Sequence, residues 1–135
     1  MKYFHPYELV DKITYEKLGY DSLSLFKPDA LQALDDLREF FGVPITVNTW
    51  WNGGSFQWRG LRNPHCPQYS PGSQHSIGNG FDGDIAGYTA EQARSRIIEN
   101  KNHPLLSKIM RLEGGVNWVH IDLLHVANRI YVFKA

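Results

Sequence analysis

The segment Ser73–Ile85, Ser-Gln-His-Ser-Ile-Gly-Asn-Gly-Phe-Asp-Gly-Asp-Ile, constrains this chain more than any other stretch of it. Gly78 and Gly80 let the backbone turn where a residue bearing a side chain would be strained. From Phe81 onward apolar and acidic residues alternate, the period of a half-buried strand. On such a strand Asp82 and Asp84 share one face, while Phe81 and Ile85 point into a core. The turn carries His75 back toward Asp82, so an imidazole and a carboxylate converge, which suits a metal ion.

A second segment, Asn117–Leu123, alternates in the same way. Val119, Ile121 and Leu123 form an apolar face, with Trp118, His120 and Asp122 opposite. A half-buried strand ordinarily turns its polar side to water. A side made of Trp, His and Asp instead reads as the wall of a cleft, and His120 supplies the ligand that His75 and Asp82 lack. Two His and one Asp leave a coordination position for water, the pattern of a catalytic rather than a structural zinc site. The same donor set serves non-haem iron, but there a His-x-Asp pair usually comes first and a distant His follows. Here His120-x-Asp122 comes late, so Zn2+ is the better match.

Such a site needs a core to hold it. A chain of 135 residues with 42% hydrophobic and 13% aromatic content can bury one without staples, as a single domain over residues 1–135. Fourteen basic and fourteen acidic side chains cancel, so neither a nucleic-acid footprint nor a polybasic membrane patch is expected. Cys66 is the single cysteine, which excludes an intramolecular disulfide framework. Lys2, Glu8, Asp11 and Lys12 interrupt any apolar run behind Met1, so no signal peptide and no membrane span is expected.

Taken in order, the pattern predicts a first helix over 6–18, started by Pro6 and ended by Gly19. A second, over 28–41, carries a stripe of Ala30, Leu31, Ala33, Leu34, Leu37 and Phe41 and stops at Gly42. Residues 45–51 are β-branched and aromatic and read as a strand. Residues 52–72 lack periodicity, and a loop this long in a small domain is usually functional. Its Arg59, Arg62, Trp58 and Tyr69 could grip a peptide and its carboxylate, since a guanidinium fork matches a carboxylate. His65-Cys66 in the same loop lacks partners for a Cys/His site, and His5, His103 and His125 have no motif around them. Thr89-Ala90-Glu91-Gln92 is a capping box opening a helix to about Asn100, and Pro104 starts a short helix ending near Met110. Residues 129–134 read as a last strand paired with 118–124.

Ser73-Gln74-His75 with Gly78, Gly80 and Asp82, followed by Trp118-Val119-His120-Ile121-Asp122, resembles the M15 zinc peptidases. These are D-alanyl-D-alanine carboxypeptidases and L-alanyl-D-glutamate endopeptidases that cut peptidoglycan stem peptides, and they share a fold with the hedgehog signalling domain. The likeness covers the C-terminal half and includes the His-to-Asp gap and the late His. It implies an α+β domain of hedgehog/DD-peptidase type, a small, mostly antiparallel sheet flanked by helices. It implies His75, Asp82 and His120 as Zn2+ ligands, an arginine (Arg59 or Arg62) on the substrate carboxylate, and a carboxylate base. Many members place that base three residues before the last His, where this chain has Asn117. A looped Glu113 is then the first candidate and Asp122 the second, with Asp84 and Asp122 as acceptors for ligand imidazoles and Ser73 as a tether of the turn. The implied partner is a peptidoglycan stem peptide met by a monomer. Without a signal, export would be that of a phage lysin or virion part. A metal-binding but catalytically silent domain, as in the hedgehog relatives, or a virion structural component are the alternative readings.

Overall fold

The computed structural model describes residues 1–134. Three helices, α1 (Lys12–Leu18), α2 (Pro28–Phe41) and α3 (Ala90–Glu99), accompany a five-stranded sheet. Its strands are β1 (Ile45–Thr46), β2 (Gly80–Ile85), β3 (Arg111–Gly114), β4 (Val119–Asp122) and β5 (Tyr131–Lys134), ordered β1-β2-β4-β3-β5. The fold is α+β as expected, with a mixed sheet: β1–β2, β2–β4 and β3–β4 are antiparallel, and β3–β5 is parallel. No helix among the described residues is long and apolar enough to cross a membrane.

α2 occupies the predicted span. Pro28 sits in its first turn, where a missing N–H costs nothing, and Gly42 closes it in the left-handed region at φ 69°. Its buried stripe, Ala30, Ala33, Leu34, Leu37 and Phe41, packs toward the apolar face of the sheet, where Phe81, Ile85, Leu112, Val119 and Ile121 are buried. Each large side chain so placed stabilises the fold by about 1.5–3 kcal/mol. α3 starts at Thr89, whose hydroxyl accepts from Gln92 N while the Gln92 side chain accepts from Thr89 N, as the capping box predicts. Alternation along β2 and β4 then leaves the opposite face of the sheet to Asp82, His120 and Asp122, all buried.

Elsewhere the chain departs from the sequence pattern, for reasons visible in its hydrogen bonds. The expected first helix is a single turn at Pro6–Glu8 followed by α1, with Leu9 and Val10 fully buried between them. Asp11 caps α1, accepting from Thr14 N at 3.1 Å and Thr14 Oγ1 at 2.6 Å. The carbonyl of Leu9 accepts from Leu61 N, and that of Val10 from Asn48 Nδ2 and the Trp50 indole, so neither serves a helix. The strand expected at 45–51 pairs only over Ile45–Thr46. Beyond it the buried Asn48 side chain bonds Val10 O, Gln57 O and Arg59 N, and Trp50–Asn52 form a tight turn. The helix expected from Pro104 is one turn, Pro104–Leu106, because Met110 N already bonds Asp122 O and leads into β3. β5 does not pair with β4, as the sequence suggested. Both edges of β4 are taken by β2 and β3, so β5 joins the free edge of β3.

The long loop is tied down on both sides. Leu61 N bonds Leu9 O, Arg59 O accepts from Asp82 N at 2.7 Å, and Arg62 N bonds His75 O. Gly60 sits so close to Leu9 that a Cβ would lie 2.0 Å from the Leu9 carbonyl oxygen. The loop thereby forms the wall of the polar face.

Candidate metal centre

His75 lies in the tight turn Gln74–Ile77, whose N-cap Ser73 accepts from His75 N at 3.2 Å, the tethering role expected of it. Gly78 closes that turn at φ 69°, with its Cβ direction 2.4 Å from the Leu25 carbonyl oxygen, so only glycine fits. The Nδ1 of His75 stands 2.8 Å from Gly60 O. A carbonyl only accepts, so Nδ1 carries a proton and Nε2 is directed at Asp82, 3.2 Å from its Oδ2. On β2, Asp82 is the register partner of His120 on β4, and its Oδ1 lies 2.8 Å from His120 Nδ1. One ligand atom from each of His75, Asp82 and His120 can be chosen so that all lie within 4.8 Å of one another. The three side chains are 3%, 5% and 5% exposed, which removes competing water from their donor atoms.

Behind His120 stands a second layer. Its Nε2 is 2.7 Å from Asp122 Oδ2, and Asp122 in turn receives both Arg111 Nε at 2.9 Å and Nη2 at 2.8 Å, and Leu124 N at 3.1 Å. Asp122 is fully buried, and the Arg111 guanidinium also lies 4.1 Å from the Phe133 ring centroid. Each candidate ligand imidazole therefore turns one nitrogen to Asp82 and has the other engaged by an oxygen acceptor, Gly60 O or Asp122. Protein sites that hold a divalent cation use this arrangement to fix ring orientation and tautomer. The residues present fit such a cation.

The charges are strongly coupled. Burial works against ionisation of Asp82, but hydrogen bonds and charge from His120 and His75 outweigh it and hold its carboxyl well below the usual range. Burial likewise opposes charge on His120, yet Asp122 and Asp82 raise its pKa from 6.5 to about 9. An imidazole with a carboxylate oxygen at each nitrogen satisfies both only as imidazolium, so in the metal-free protein a proton occupies Nδ1. Burial would raise the Asp122 carboxyl too, but His120 and Arg111 lower it.

Above these side chains opens a cleft of about 250 Å³, lined further by Arg62, Glu113, Trp118 and Phe133. Of the two loop arginines, Arg62 reaches it: Nε donates to Trp58 O at 2.9 Å and Nη2 to Asp82 Oδ2 at 3.1 Å. Arg59 instead forms a two-pronged pair with Asp84 at 2.9 and 3.1 Å, away from the cleft. Asp84 therefore supports no ligand imidazole, and the side-chain alternation that brings it onto the face of Asp82 carries it to an exposed end of β2. Tyr69 is exposed outside the cleft. Glu113 belongs to β3 rather than to a loop. β3 pairs Arg111 with Asp122 and Leu112 with Ile121, and Glu113, on the same face of β3 as Arg111, lines the cleft. Asn117 is exposed and does not line the cleft. Trp118 Nε1, which lies in a cleft-lining residue, is buried without a hydrogen-bond partner among the described residues. Cys66 is buried next to Gln68, and His65, His5, His103 and His125 join no metal-ligating cluster among the described residues.

Sequence reasoning missed Arg111, Phe133 and Gly60. Arg111-Leu112-Glu113 does alternate polar and apolar, but three such residues before Gly114-Gly115 look like a turn. The requirement for Gly60 comes from an approach to Leu9, distant in sequence, which no local pattern encodes. Comparison with known proteins finds no matching family model, curated protein or solved structure, so the centre is read from its own chemistry.

Proposed function

We propose that this chain is a zinc-dependent peptidase of the M15 type that hydrolyses an amide bond in peptidoglycan stem peptides. The observation that carries the reading is the convergence of His75, Asp82 and His120 at the floor of a cleft that is also lined by Arg62 and Glu113. A Zn2+ ion held by His75 Nε2, Asp82 and His120 Nδ1 supplies Lewis-acid polarisation of a carbonyl and acidifies a water molecule.

The chain's own groups do the rest. Arg62 has Nε and one Nη2 proton engaged by the protein, which fixes the guanidinium plane and leaves its outer N–H groups for a substrate carboxylate. Glu113 accepts a proton at its carboxylate from the attacking water and returns it to the leaving amine nitrogen. Asp122 is poorly placed for that task, since both oxygens are committed to Arg111, His120 and Leu124 N and no solvent reaches it. It holds His120 in orientation instead.

The test is mass spectrometry of products from defined stem peptides, with zinc and with a chelator. Chelator-sensitive release of D-Ala alone, or a split within the stem, supports the enzyme and names its bond. Zinc bound at one per chain without turnover supports instead the silent metal-binding reading, for which the exposed Asn117 is the motivating feature.

A further inference from the structure

Away from the metal cleft, one side of the molecule carries a group of aromatic rings. Tyr7 from the first turn, Tyr15 from α1, and Trp50 and Trp51 from the turn after Asn48 line an open, shallow cavity of about 480 Å³ together with Glu16. Trp51 is 40% exposed, high for the largest apolar side chain in a chain with a formed core. The rings follow one another: Trp51 and Tyr7 have centroids 4.7 Å apart, Tyr7 and Tyr15 5.7 Å, Tyr15 and Trp50 6.2 Å.

Their orientation is fixed from behind. Trp50 Nε1 donates to Val10 O at 2.8 Å and Trp51 Nε1 to Asn48 O at 2.9 Å. His5 stacks on Tyr7 with centroids 3.9 Å apart and is itself bonded to the Tyr20 hydroxyl. Both indoles thus turn their only polar edge into the protein and leave carbon faces for the cavity. The groups at its rim are the reverse. Among the described residues, the hydroxyls of Tyr3 and Tyr20 have protein partners, whereas those of Tyr7 and Tyr15 and the Glu16 carboxylate have none.

We propose that this surface binds a chain of hexopyranose units. A pyranose offers axial C–H bonds on one face, which pack on an aromatic ring, and equatorial hydroxyls at its edge, which need acceptors and donors. Pre-oriented Trp and Tyr rings with unpaired phenol and carboxylate groups beside them match both demands, and little side-chain freedom remains to be lost on binding. A methylated ammonium group is also drawn to aromatic faces, but its cages close around a group much smaller than this open cavity. If the stem-peptide reading above is correct, the sugar is the glycan strand carrying those peptides. That identification rests on the reading, while the pyranose chemistry does not.

The test is a titration of the full chain, zinc-loaded and chelator-treated, with a β-1,4-linked N-acetylglucosamine hexamer, followed by tryptophan fluorescence and NMR. Parallel titrations use peptide-free glycan strands, tetramethylammonium and a proline-rich peptide. Saturable binding of the hexamer is expected, with shifts centred on Tyr7, Tyr15, Trp50 and Trp51 and the same affinity with and without zinc. Failure of the peptidase reading therefore leaves this result standing. Trp51→Ala is expected to weaken binding about tenfold or more, and the surface change Glu16→Gln about threefold, so a Trp51 variant that does not fold leaves a second readout. No saturable shift up to about 10 mM hexamer, or equal affinity in both variants, overturns the proposal. Saturation by tetramethylammonium or the proline-rich peptide in place of the sugar overturns it as well.

Discussion

Loading the metal must expel the proton that His120 carries at Nδ1, and the size of that linkage follows from the structure. In the metal-free protein His120 lies between Asp82 and Asp122, 2.8 and 2.7 Å from their oxygens, with its pKa raised from 6.5 to about 9. At pH 7 the ring is then almost wholly protonated, so uptake of one Zn2+ is expected to release close to one proton from this residue. Each pH unit below 9 weakens apparent binding about tenfold, or about a hundredfold between pH 9 and pH 7. The assay is isothermal titration calorimetry at pH 7 in buffers of different ionisation enthalpy, where the slope of heat against buffer enthalpy counts protons. Competition with a chelator of known affinity then follows the constant from pH 6.5 to 8.5. The same group sets the stability of the metal-free fold. A raised pKa contributes fully below 6.5 and is lost as pH rises through about 9, on the order of 3 kcal/mol across that window. Asp82 and Asp122, with lowered values, act at the other end, their contribution present above 3.8 and lost on acidification. A zero slope in calorimetry, or affinity independent of pH over that range, refutes the reasoning, because it requires Nδ1 to be unprotonated before the metal arrives.

Other perturbations separate holding the metal from using it. Glu113→Gln is expected to bind zinc with unchanged stoichiometry and to lose about 10²–10⁴-fold in peptide hydrolysis, read by product mass spectrometry. Equal activity in that variant removes Glu113 as the proton carrier. Arg111→Met strips a fully buried carboxylate of its two-pronged partner and is expected to cost about 3–5 kcal/mol in urea unfolding at neutral pH. Gly60→Ala places a Cβ 2.0 Å from Leu9 O, so the loop must move and the carbonyl that fixes His75 moves with it. Zinc affinity is expected to fall about 10–100-fold by chelator competition.

What could be read from the sequence was whatever depends on near neighbours. The stripe of α2 and its Gly42 stop, the Thr89 capping box and the alternation through Phe81–Ile85 and Val119–Asp122 are all local, and each stands where the pattern put it. The same alternation puts Asp82 and His120 on one face, because a two-residue period fixes which side chains share a face before any pairing is known, and the glycine turn ahead of β2 brings His75 to them. Misreadings occur where backbone groups are claimed by distant partners. Leu9 and Val10 have helical spacing, yet their carbonyls serve Leu61, Asn48 and Trp50, and the helix cannot form through them. The pairing of β5 depends on which edges earlier strands have filled, a property of the whole sheet.

These long-range features are also the ones that finish the centre. Arg111 arrives through β3, Phe133 through β5 beside it, and Gly60 through a loop pinned against Leu9. Two of them act on a candidate ligand from behind: Arg111 through Asp122 on His120, and the Gly60 carbonyl on His75. The candidate ligands themselves lie in two short local motifs, whereas the parts that orient them come from scattered positions. A site assembled in this way has a specific weakness. Changes at Arg111 or Gly60 should lower metal affinity, while removing the charge of the exposed Asp84, paired with Arg59 nearby, should leave it unaltered. Side-by-side chelator competition on Gly60→Ala and Asp84→Asn decides the point, and a loss in the second variant equal to that in the first would show that the orienting layer has been drawn in the wrong place.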